Sequence, residues 1–303
     1  MLRIGYVPEH FCSPLLQLAE KHPSTVTLVP CPEGTGQMTA ALNNNSIDVA
    51  IALTESLIAS IANRSKEQPS AASPSSFKLV GKYVTTPLRW AVIAGAHSPL
   101  SNLDDLSHST LPIGISRYGS GSHVMASYLA FKHNWSHQPS FKKNNSFQNL
   151  RDSVNATAPQ DTSVFLWEWY TTKPFVDSGE VKFIGDCPTP WPSWLIAANP
   201  LAPPEQENLH FFLNKLSTFV QDFNSDEARA GRNIEFIKEK FNYTEQDIKD
   251  WLKTVAYPDN VAVLESSLIL DTLDVLEKAG VVKKPSQGWD VADFINTQIA
   301  TVS

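Results

Sequence analysis

The chain has 303 residues, 42% hydrophobic and 18% charged, with a formal net charge of -7 and a pI near 5.6. This is globular composition, long enough for two lobes, and it excludes wholesale disorder. The acidic balance without a basic cluster argues against a nucleic-acid partner, and no run approaches the roughly 18 apolar residues of a membrane span.

Leu2 to Val7 reads as a first strand that goes straight into a turn at Pro8, Glu9, His10 and Phe11, with a helix from Pro14 to about Lys21. Ligands of open α/β sheets bind outside the carboxyl ends of strands, which makes Glu9, His10 and Phe11 candidate ligand contacts. Thr25 to Val29 alternates and is β-branched, a second strand. It ends in a Pro- and Gly-rich loop through Thr35 and Gly36, and a helix follows from Gln37 through Leu42. Ile47 to Leu53 is a third, apolar strand, and Thr54-Glu55-Ser56 opens the next helix at its carboxyl end. Ser65 to Ser76 is polar and low in complexity, the pattern of a surface loop.

A strand is expected at Phe77 to Val80, irregular chain from Gly81 to Pro87, and a long strand from Arg89 to Gly95. Ser101-Asn102-Leu103-Asp104 carries a capping-box pattern for a short helix. The central stretch runs from an apolar strand at Ile113 and Ile115, through Arg117-Tyr118-Gly119-Ser120-Gly121-Ser122, into an amphipathic helix from His123. A Gly-Ser loop there leaves the first helical N–H groups unpaired, and the helix dipole favours an anion or polar oxygen. Arg117 adds a charge-assisted fork, so Arg117 and Gly119 to Ser122 read as a small-molecule pocket.

Phe147 to Val154 looks helical and Ser163 to Leu166 extended, ending in Trp167-Glu168-Trp169-Tyr170. Three aromatics around one carboxylate suit a stacked ring with Glu168 accepting a donor, although core residues around a backbone-bonded carboxylate would look the same. After a strand from Val181 to Ile184, three prolines in Pro188 to Pro192 stiffen a crossing segment that contains Trp191. Trp194 to Ala198 is a strand. Helices are then expected over Pro204–Phe223, Asp226–Phe241, Thr244–Thr254 and Val261–Ala279, with Gly280 as a C-cap and a short helix near Val291 to Ile299.

Alternating strands and helices followed by a helical C-terminal third predict an α/β fold of two lobes. Lobe 1 comprises 1–87 plus 193–303 with the C-terminal helices, and lobe 2 comprises 88–192. No catalytic or metal motif accompanies them. Gly-x-Ser-x-Gly and Walker loops are absent, and His133 and His137 lack the Glu-x-x-His context of zinc ligands. Cys12, Cys31 and Cys187 are too scattered for a disulfide framework or an iron-binding cluster. With no apolar leader at the N-terminus, the expectation is a cytoplasmic chain, and the sequons at Asn44, Asn134 and Asn242 then carry no meaning.

A set of short motifs carries a resemblance that spans most of the chain. They are Arg3-Ile4-Gly5-Tyr6; Glu33-Gly34-Thr35-Gly36-Gln37-Met38 with Leu42; Ile47-Asp48-Val49-Ala50; and Thr54-Glu55. They continue in Thr86-Pro87-Leu88-Arg89-Trp90, Ser98-Pro99, Leu103-Asp104-Asp105-Leu106, Ile113-Gly114-Ile115 and Gly119 to Ser122. The chain resembles type II periplasmic-binding proteins, in the branch that holds thiamine-pyrimidine-precursor, sulfonate and nitrate binders, and most closely a fungal intracellular group with no assigned ligand. The resemblance implies a ligand cleft between lobes and hinged, Venus-flytrap closure. Carried over, the ligand contacts are Glu9, His10 and Phe11; Thr35 and Gly36; Thr54; Thr86 and Leu88; Arg117 and Gly119, Ser120, Gly121 and Ser122; Glu168; and Trp191. The expected partner is a small molecule, an anion, zwitterion or substituted heterocycle, bound by a monomer without a cofactor or metal. The alternative is a cytosolic enzyme of cofactor or pyrimidine metabolism using Glu9, His10 or Glu168 as acid or base.

Overall fold

The computed structural model describes residues 1–67, 77–156, 161–201 and 203–303. They divide into two units: Met1–Thr86, Trp191–Thr272 and Lys284–Ser303 form the first, and Pro87–Pro190 with Leu273–Lys283 the second.

The first unit begins with three strand–helix repeats. β1 (Leu2–Tyr6) leads through a single 3₁₀ turn, His10–Cys12, into α1 (Ser13–Lys21). β2 (Val26–Pro30) precedes α2 (Thr35–Asn43), and β3 (Val49–Leu53) precedes α3 (Thr54–Glu67). Most of the polar Ser65–Ser76 stretch lies outside the described residues. β4 (Lys78–Val84) replaces the irregular chain expected from Gly81. Its last residues pair with a later strand, Lys82 opposite Leu195 and Val84 opposite Trp194, and that pairing is invisible locally. Gly81 is needed here because a Cβ would stand 2.2 Å from the Val261 carbonyl oxygen, while the neighbouring Lys82 N–H donates to the same oxygen at 2.8 Å.

The second unit contains β5 (Arg89–Gly95), α4 (Leu103–Ser107), β6 (Ile113–Ile115), α5 (Gly121–Lys132), β7 (Phe141–Lys143), α6 (Phe147–Asn155), β8 (Phe165–Glu168), α7 (Trp169–Asp177) and β9 (Val181–Pro188). The α4 cap is Asn102, whose side chain accepts from Asp105 N–H, and Asp105 in turn accepts from Ser101 N–H at 2.8 Å. β7 and α7 were not foreseen. β7 is a three-residue edge strand with two lysines, and α7 contains Pro174, a helix breaker in most settings.

The chain then returns to the first unit through β10 (Trp194–Ala198), α8 (Pro203–Asn224), α9 (Asp226–Ala230), α10 (Arg232–Phe241), α11 (Glu245–Leu252) and β11 (Val263–Leu264); α12 (Ser266–Lys278) belongs to the first unit up to Thr272 and to the second from Leu273, and β12 (Thr301–Val302) is again in the first. Three expectations are corrected here. The single helix over Asp226–Phe241 is two, broken at Gly231. Val261–Ala279 starts as a strand, because Val263 and Leu264 pair with Thr301 and Val302. The helix near Val291 to Ile299 is only a 3₁₀ turn, Val291–Asp293.

Each unit holds a five-stranded sheet, β2-β1-β3-β10-β4 in the first and β7-β6-β8-β5-β9 in the second. β1 is parallel to β2 and β3, whereas β10 runs antiparallel to both its neighbours. In the second sheet β6 is parallel to β7 and β8, and β5 is antiparallel to both β8 and β9. The helices bury apolar faces on these sheets. In the second unit Ala91, Ile93, Leu150, Val154, Phe165 and Val181 form one core.

Candidate functional site

The sheet registers put every candidate residue at one edge of its own unit. In the first unit that edge is the carboxyl end of β1, β2 and β3, followed by Glu9–Phe11, Thr35–Gly36 and Thr54. Leu53 at the end of β3 pairs with Trp194, and Trp194 pairs with Val84, so Trp191 and Thr86 join the same edge. In the second unit Trp90 pairs with Glu168, and β6 runs parallel to β8, so Leu88, Glu168 and Arg117–Ser122 share an edge as well.

The side chains differ sharply in how they are occupied. The His10 imidazole is buried, its Nδ1 3.3 Å from the Tyr243 hydroxyl, with Phe11 and Trp251 rings 4.5 Å away. Burial pushes its pKa down to about 3, so the ring is neutral at physiological pH. Phe11 is also enclosed, and its carbonyl accepts the Tyr257 hydroxyl at 2.8 Å. Thr35 Oγ accepts from Leu53 N–H at 3.1 Å, tying the start of α2 to the end of β3. Thr54 donates its N–H to Ser193 O at 3.1 Å and its hydroxyl to Pro192 O. Thr86 O accepts both the N–H and the hydroxyl of Ser193, and Leu88 pairs through N–H and carbonyl with Thr189.

The residue next to Thr54 is the most unusual. Glu55 is fully buried, its Oε2 accepting the Trp191 indole N–H at 2.9 Å, and Oε1 has no hydrogen-bond partner among the described residues. Burial pushes its carboxyl up to about 7, against the pull of its own backbone N–H and the indole. Trp191 therefore spends its polar edge on Glu55. The sequence marked Glu55 as the start of a helix but gave no sign of its enclosure, which depends on Trp191 arriving from 136 residues away.

In the second unit the Gly-Ser loop is held from within. Ser120 is the N-cap of α5, its Oγ donating to Arg117 O at 2.7 Å and lying 3.5 Å from His123 N–H. Ser122 Oγ accepts from Ser116 N–H at 3.0 Å. Gly119 takes a φ of +78°, which glycine adopts without steric cost. These bonds leave the N–H groups of Gly121 and Ser122 without an acceptor among the described residues, and the same holds for Thr35 and Gly36 at the start of α2. Arg117 is half-buried on the same loop.

Glu168 is the N-cap of α7, accepting from Thr171 N–H at 2.6 Å. The tryptophans beside it pack within the unit. Trp167 stacks on Phe147 at 4.9 Å, and Trp169 lies between Phe183 at 3.9 Å and the Arg89 guanidinium at 3.4 Å. Among the described residues no group of three or more His, Cys, Asp or Glu is arranged to hold a metal, and no helix is long and apolar enough to cross a membrane.

Residues 90–187 match the family described as Ca3427-like PBP. Over its length the chain is 31% identical to the Candida albicans CA3427 gene product, covering 95% of this chain and 92% of that one with a TM-score of 0.81. The chain belongs to that family. The Candida protein is described as defining a family with the generic periplasmic binding protein structural fold, and the two sheets here are built on it. More distant solved structures share the fold. The alkanesulfonate-binding protein SsuA from Xanthomonas axonopodis pv. citri, bound to MOPS, is 17% identical with a TM-score of 0.70, covering 100% of this chain and 98% of that one. The periplasmic nitrate-binding protein NrtA from Synechocystis is 14% identical with a TM-score of 0.66, covering 94% and 83%. No curated protein matches the sequence.

Proposed function

We propose that this member of the family is a solute-binding protein for a small polar or anionic molecule, held by the loops at the carboxyl ends of its strands. The observation that carries this reading is found in both units. A helix opens directly after a strand, and its first two N–H groups, Thr35 and Gly36 in α2 and Gly121 and Ser122 in α5, have no acceptor among the described residues. Such N–H groups, reinforced by the helix dipole, suit an oxyanion or a polar oxygen, and Arg117 supplies a charge beside the second pair. Hinged closure on the ligand belongs to the same reading, since a ligand stabilises whichever conformation it binds better. The three cysteines, all reduced and buried, suit an intracellular compartment.

Native mass spectrometry of the purified protein, followed by denaturation, would identify a co-purifying molecule by mass. Thermal shift with methanesulfonate, nitrate, small carboxylates and aminopyrimidines extends the search. Stabilisation by at least one probe, weakened in Arg117→Ala, is expected. No bound molecule and no stabilisation by any probe would sink the reading, and unchanged affinity in Arg117→Ala would remove the charge from it.

A further inference from the structure

His123, the third residue of α5, does not contribute to any of the bonds assigned above through its ring. That ring turns back onto the loop. Its Nδ1 lies 3.1 Å from the Gly119 N–H, which donates to it, while the His123 main-chain N–H faces Ser120 Oγ at 3.5 Å. The pattern resembles a capping box in which the side chain three residues into the helix reaches back, here one residue beyond the N-cap. The Tyr118 ring meets the imidazole edge-on at 5.3 Å, and the Phe141 ring on β7 does so at 4.8 Å. One imidazole thus fixes the left-handed Gly119 and, with Ser120, the turn that leads to the N–H groups of Gly121 and Ser122.

We infer that His123 is a positioning residue for ligand binding, and that its neutral imidazole holds the Arg117–Ser122 loop in the binding conformation while its protonation releases it. This rests on the proposal that the loop takes an oxyanion or polar group. The Gly119 bond requires a bare Nδ1 lone pair, so the ring proton sits on Nε2. An imidazolium has N–H at both positions, and two donors would then face each other at 3.1 Å. Among the described residues the ring's contacts, Gly119, Tyr118 and Phe141, include no carboxylate. The charged residues nearby in sequence on the loop and on β7 are Arg117, Lys142 and Lys143. Lys142 pairs with Asp161 at 2.9 Å. Burial of the ring acts in the same direction, pushing its pKa below the ordinary value.

The sign follows from those facts. A group whose pKa is depressed by the closed loop leaves that loop intact above its ordinary pKa and weakens it as pH falls. The affinity for methanesulfonate, which stays ionised throughout, should be flat from pH 8 to 7. Below pH 6.5 it should drop, at pH 5.5 by up to about tenfold relative to pH 8, the fall in neutral imidazole one unit below its ordinary pKa. His123→Gln keeps an acceptor at every pH and should flatten this profile, whereas His123→Leu should weaken binding throughout. A His123→Gln profile identical to wild type would overturn the inference. So would affinity that rises on acidification, the behaviour of an imidazolium in direct contact with the anion. If methanesulfonate binds at no pH, the ligand class is at fault, and amide NMR decides the inference separately. A Gly119 resonance that titrates with the His123 ring upholds it, and one indifferent to that ring overturns it.

Discussion

Replacing Glu55 by Gln should make the protein more stable at pH 8 and only slightly more stable at pH 5. The carboxyl is fully buried, with its pKa raised from 4.5 to about 7 chiefly by desolvation. A group with a raised native pKa binds a proton in the folded state that the unfolded chain has released, so its contribution is full below pH 4.5 and lost as pH rises through 7. The shift converts to about 3 kcal/mol lost by pH 8 and about 1 kcal/mol by pH 5, at 1.36 kcal/mol for each unit. Glutamine has nearly the shape of the neutral acid. It still offers an oxygen to the Trp191 indole and places an N–H where the acid carries an O–H, so both species bear the same orphan donor at low pH. Thermal unfolding of wild type and Glu55→Gln across pH 5 to 8 would test this, and the expected gain at pH 8 is roughly 5–10 °C for a unit of this size. A variant destabilised equally at both pH values, or a wild-type slope that survives the substitution, would refute the argument.

Other substitutions probe the framework around the loops. Gly81→Ala should severely destabilise the first unit, because its Cβ would sit 2.2 Å from the Val261 carbonyl oxygen; circular dichroism melting would show it. Ser122→Ala removes the acceptor of the buried Ser116 N–H and should cost about 1–3 kcal/mol by denaturant unfolding. Tyr257→Phe leaves the Phe11 carbonyl without its donor and should cost about 1–2 kcal/mol in the same assay, a loss confined to the first unit.

What a segment's own residues specify was readable without the structure. The strand over Arg89–Gly95 and the helix following Gly119–Ser122 follow from apolar pattern and turn chemistry, which act within a few residues. The edge strand Phe141–Lys143 was not, because one apolar residue beside two lysines carries no period and extends only by pairing with Ile113–Ile115. Val263–Leu264 likewise depends on a strand that arrives near the end of the chain.

The candidate residues show the same boundary. The sequence by itself determined the strand-end loops, their glycines and serines, and the helices that open from them. Tertiary structure alone decided how each polar atom is used: His10 enclosed by Tyr243 and Trp251, Glu168 turned to cap its own helix, Glu55 buried against Trp191, and His123 bonded back to Gly119. The physical reason is that backbone preference and periodicity are local. Desolvation and hydrogen-bond partnership depend on groups brought together from distant parts of the chain, or on the exact fold of a turn.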